Sequence, residues 1–123
     1  MIRRMRVVRA PAVEEWLAAP HNDLRVANVT RARFLRAERV IEQMGTLAGD
    51  DSLKKLPGFD SLYETPVGNK RVFSTIEGNM VLMAVVVEKK KKRLTAGQLK
   101  PVEAQVKRFA ETFSEENRDR SGR

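Results

Sequence analysis

Hydrophobic positions along this chain change period twice, and the changes separate helical stretches from a central block of strands. Leu24, Ala27, Arg31, Phe34, Ala37, Ile41 and Met44 step by three or four, and only Arg31 interrupts the apolar stripe. That spacing predicts a long amphipathic helix. Asn22 suits its N-cap, and Gly45 can take the left-handed conformation that closes it. Arg25, Arg33, Arg36, Glu38, Arg39 and Glu42 occupy its other sides. Upstream, Met5–Arg9 suits a first strand. Pro11 with Val13, Trp16 and Leu17 then predicts a brief helix ending near Pro20.

Residues 46–59 read as a loop punctuated by Gly49, Pro57 and Gly58. The period then drops to two. Leu62–Thr65 is a short strand halted by Pro66, and Gly68-Asn69 turns the chain. Lys70–Glu77 alternates, with Val72, Ser74 and Ile76 on one face and Arg71, Phe73 and Thr75 on the other. Gly78-Asn79 is a two-residue hairpin signal, glycine first as a type II′ turn prefers. Met80–Val87 is continuously apolar, as expected of a central strand buried on most of both faces. Counting outward from Glu77 and Met80 pairs residues that sum to 157, which sets Arg71 opposite Val86.

Leu99, Val102, Val106, Phe109 and Phe113 give the last helical stripe. Thr95 and Gln98 fit a capping box, but Pro101 would then sit inside the helix, at a cost of about 3 kcal/mol. The expectation is a short turn from Thr95 that leads, kinked or interrupted, into a helix from about Pro101. Leu24, Phe34, Ile41, Val85, Val106 and Phe109 are expected in one core. The order strand, helix, helix, three antiparallel strands, helix describes an α+β domain with helices packed on one face of the sheet and the other face open. It spans residues 1–113, with a polar tail over 114–123 that is expected to fray.

Composition narrows the function. The 123 residues carry a net charge of +8, which favours phosphate backbones or another anionic partner. There is no cysteine, so disulfides, thiolate nucleophiles and cysteine zinc sites are excluded. His21, the only histidine, flanks a helix start, and no ligand cluster for a metal and no cofactor motif appears. The longest apolar run is far too short to span a bilayer, which takes about twenty residues. Nothing at the N-terminus reads as an export signal, so a cytoplasmic location is expected. The remaining chemistry is cationic: Lys54 and Lys55, Arg71, and the run Lys89, Lys90, Lys91, Lys92 and Arg93. The hairpin count brings Arg71 beside the start of that run. The run also has a plainer reading, as a solvated stretch guarding a buried strand against aggregation.

Several phrases together resemble the RelE/HigB/ParE superfamily of type II toxins, and its HigB-like members in particular. They are Glu14-Glu15-Trp16, Leu53-Lys54-Lys55-Leu56, Lys70-Arg71-Val72-Phe73, an apolar strand ending in Lys89-Lys90, and Thr95 before the last helix. The likeness runs from Met5 to Phe113. It implies a metal-independent endoribonuclease that cleaves messenger RNA, in the ribosomal A site, by attack of the 2′-hydroxyl on the adjacent phosphate. It also implies a cognate antitoxin as partner. Arg71 would hold the phosphate, Lys89 and Lys90 would form the basic pair at the strand end, and Glu64 would be a base or an organiser of Arg71. Lys54, Lys55, Lys91, Lys92 and Arg93 would grip the nucleic-acid backbone. Many nucleases of the family carry a tyrosine or histidine near the start of the last helix, where residues 93–98 offer neither. Two alternatives therefore stay open, a ParE-like gyrase inhibitor and a basic ribosome- or nucleic-acid-binding structural protein.

Overall fold

A computed structural model describes residues 4–18, 24–88 and 94–121. Its elements are β1 (Arg6–Arg9), α1 (Pro11–Ala18), α2 (Leu24–Met44), a 3-10 turn (Gly45–Ala48), β2 (Lys54–Lys55), β3 (Tyr63–Val67), β4 (Lys70–Glu77), β5 (Met80–Glu88) and α3 (Ala96–Ser121). The predicted order holds, with the two-residue β2 and the 3-10 turn added inside the stretch read as loop. Five strands form one sheet in the order β1-β5-β4-β3-β2. β1 runs parallel to β5, and every other pair is antiparallel.

Local chemistry accounts for the element ends. Pro11 opens α1, where its missing N–H costs nothing, and the Ala10 carbonyl accepts from the Val13 and Glu14 amides. Arg31, the interruption in the α2 stripe, donates from Nε and Nη2 to the Leu17 carbonyl at 3.1 and 2.6 Å. A guanidinium there satisfies an end carbonyl of α1 and opposes the helix dipole. Gly45 closes α2 at φ 57°, as expected. Gly78 turns the β4–β5 hairpin at φ 59° while Asn79 keeps a negative φ, which is the type II′ pattern. Asn22 and His21 lie outside the described residues.

Helices cover both faces of the sheet, which corrects the expectation of one covered and one open face. On one side, α1 and α2 bring Val13, Phe34 and Ile41 against Val67, Val72, Val81 and Met83. On the other, α3 brings Leu99, Val102 and Val106 against Leu62, Phe73 and Ala84. The expected single core is therefore two. Phe34 and Ile41 belong to the first, Val85, Val106 and Phe109 to the second, and the Leu24 side chain lies outside the described residues. The physical reason is β5: a strand apolar on both faces must be covered on both.

Further differences concern α3 and the register. Helix α3 runs unbroken from Ala96 with Pro101 inside it. The Thr95–Gln98 box caps it reciprocally at 2.8 and 3.2 Å, and burial of Leu99 and Val102 offsets the lost proline hydrogen bond. The helix does not end at Phe113 but continues to Ser121, and Ser114 Oγ donates to Glu77 Oε2 at 2.9 Å. Between β4 and β5 the pairs sum to 157 from the turn to Ser74↔Met83, then to 158 from Phe73↔Val85 onward. Ala84 is the extra residue of a β-bulge. Arg71 consequently faces Val87, one residue nearer the strand end than the hairpin count gives.

Candidate functional site

Alternation along the strands sorts the predicted cations by face. On β4, Arg71 shares its face with Phe73, so it lies on the α3 side of the sheet. Glu64 is the partner of Phe73 on β3, and Lys54 is the partner of Glu64 on β2. Lys54, Glu64 and Arg71 therefore project from the same face near the β3–β4 turn. Lys55 does not join them. It pairs with Tyr63, which packs on the opposite core, so the two neighbouring lysines point to opposite sides of the sheet. Lys89, Lys90, Lys91, Lys92 and Arg93 lie outside the described residues.

Arg71 and Glu64 form the closest carboxylate–guanidinium contact on this face. Arg71 Nε lies 3.3 Å from Glu64 Oε1, and the two side chains are only 14% and 17% exposed. The Nε–H does not aim at that oxygen and is left without a hydrogen-bond acceptor. Both Nη1 donors are committed, to the Gly68 and Lys70 carbonyls, each at 2.8 Å. Nη2 has no acceptor among the described residues. The guanidinium is thus anchored at the β3–β4 turn through Nη1, with Nε buried and Nη2 engaged by no described residue. Its whole fork is therefore not open to two phosphate oxygens.

Helix α3 frames this face of the sheet. Helix α3 packs on β4 and β5 rather than β3, and its far end is tied to the Glu77 hairpin through Ser114. Its first turn therefore lies toward the opposite end of the sheet, the end that carries Arg71. Lys70, next to Arg71 but on the other face, is paired with Glu88 at 3.7 Å. Tyr63, the only tyrosine, faces the α1–α2 core and so does not stand beside Arg71. Among the described residues no cluster of histidine and carboxylate side chains suited to a metal ion is present.

One residue at this end was invisible to sequence reasoning. Arg33 of α2 brings Nη1 to 3.9 Å from where a Cβ at Gly68 would sit. In the sequence it is one of several arginines on the outer side of a helix, and no spacing rule links position 33 to position 68. No family model and no curated protein matches this chain.

Proposed function

We propose that this chain is the toxin of a type II toxin–antitoxin pair, an endoribonuclease of the RelE/HigB kind acting on messenger RNA in the cytoplasm. The observation that supports the reading is Arg71 itself. It is largely buried, braced by Glu64 and two turn carbonyls, and its Nη2 has no acceptor among the described residues, at the end of the strand that Lys89–Arg93 follow in sequence. A guanidinium positioned in advance costs little reorganisation when charge develops on a phosphate, and it stays protonated at any working pH.

In this reaction the 2′-oxygen attacks phosphorus and loses its proton to a base. The P–O5′ bond then breaks, and the departing oxygen takes a proton from water. The products are a 2′,3′-cyclic phosphate and a 5′-hydroxyl. Arg71 Nη2 stabilises the phosphorane, and Glu64 either takes the proton or holds Arg71 in place. Lys54, across β2 from Glu64, adds positive charge on the same face. Lys89 and Lys90 complete the basic pair, while the cognate antitoxin neutralises this end of the sheet.

Primer-extension mapping of transcripts after induction tests the reading. Discrete cleavages are expected for the wild type, and none for Arg71→Ala or Arg71→Lys. Because Arg71 also anchors the β3–β4 turn, a melting curve must show that each variant is folded. A folded Arg71→Ala protein that still cleaves and inhibits growth would overturn the assignment. One observation favours a second reading, gyrase inhibition: no tyrosine or histidine stands beside Arg71 among the described residues. Intact transcripts together with a DNA-damage response would establish that reading instead.

A further inference from the structure

Gly68 is flanked by two guanidiniums from different elements. Arg71 reaches its carbonyl from the α3 side of the sheet, and Arg33 approaches the place of its missing side chain from the α2 side. The turn residues Gly68 and Asn69 are exposed, as is Arg33. Among the described residues no carboxylate lies within ion-pair distance of Arg33, whereas Lys70 is offset by Glu88 and Arg71 by Glu64. Among the described residues Arg33 is therefore an uncompensated cation on the α2 side of this sheet end. Gly68, at φ 63°, presents bare backbone between the two guanidiniums, and a glycine is where another backbone can approach most closely.

We propose that Arg33 and the Gly68–Asn69 turn form a second phosphate position, so that a bound RNA strand passes over the β3–β4 turn from Arg71 to Arg33. This rests on the ribonuclease reading and extends it by a specific contact on the opposite face of the sheet. Arg33 contributes to binding and register only. It approaches the turn from the face opposite the Arg71–Glu64 pair, so it is assigned no part in the bond-making step. A contact of this kind is to phosphate alone and carries no base preference.

Binding of a short, mixed-sequence, 2′-O-methylated oligoribonucleotide, which cannot be cleaved, is measured at several salt concentrations. Arg33→Ala is expected to weaken binding about two- to fivefold, as an exposed ionic contact does, and equally for unrelated sequences. It should also reduce the slope of log K against log salt by about 0.7, the value for one phosphate on a single strand. Arg33→Lys should restore the slope, because counterion release follows charge. Arg71→Gln provides the comparison. If Arg71→Gln weakens binding while Arg33→Ala changes neither affinity nor slope, the second position is refuted and the ribonuclease reading stands. If folded forms of both variants bind like the wild type, both proposals fall.

Discussion

Arg9 of β1 and Glu38 of α2 are joined by a two-pronged ion pair, Nε to Oε2 at 2.8 Å and Nη2 to Oε1. Glu38 is almost fully buried, although its position in the sequence reads as solvent-facing. The Arg9 guanidinium also lies 5.7 Å from the centre of the Phe34 ring and 3.5 Å from Glu14. The cluster ties an edge strand to the long helix at a point where a lone carboxylate would be costly.

Arg9→Ala should destabilise the protein by about 2–4 kcal/mol, because it strands the Glu38 charge in the core. Replacing both residues by apolar side chains should cost less than the single change. Urea denaturation of the two single variants and the double variant measures the coupling, and additive costs would mean the pair is not formed. The Glu38 hydrogen bond raises the Arg9 pKa above the ordinary arginine value. A raised pKa contributes stability that is complete below the unfolded value and lost only as pH rises through the folded one. The Arg9 contribution should thus be constant through neutral pH and fall only in strong alkali.

Lys54 and Lys55 are adjacent in sequence but belong to opposite faces, and only Lys54 shares a face with Arg71. Lys54→Ala should lower cleavage and growth inhibition more than Lys55→Ala, with both proteins folded to the same extent. Equal losses, read from primer extension at matched expression, would show that the β2 pairing does not sort the two cations.

Pro101 lies exposed within the unbroken helix α3, five residues beyond its first residue. Its ring removes a hydrogen bond to Gly97 without adding buried contact. Pro101→Ala should raise stability by about 1–3 kcal/mol in thermal or urea melts. No gain would indicate that the helix begins at Pro101 and that the Thr95–Gln98 cap belongs to a separate turn.

Local features were legible in the sequence wherever neighbouring residues set them. The α2 stripe, the Gly45 closure, the Gly78-Asn79 turn and the reciprocal Thr95–Gln98 cap all follow from contacts within a few positions. The placement of α3 had a signal that needed weighing: Met80–Val87 is apolar throughout, and a strand buried on both faces needs a layer on each. Leu99, Val102 and Val106 supply the second layer, so the supposedly open face is partly covered.

Other features depend on partners distant in the chain. The bulge at Ala84 is hidden in a run of similar apolar residues, yet it shifts the partner of Arg71 from Val86 to Val87. Burial of Glu38 requires Arg9, which is 29 residues away. The sequence by itself determined the main helices and strands, their order, and which cations and carboxylates are available, but not β2, the 3-10 turn or the start of α3. Only the tertiary structure decided that Glu64 and Lys54 share Arg71's face, that Lys55 does not, and that Arg33 reaches Gly68. Periodicity tells how one element divides into faces, whereas pairing register and helix docking, set by the summed packing of the whole core, decide which faces meet.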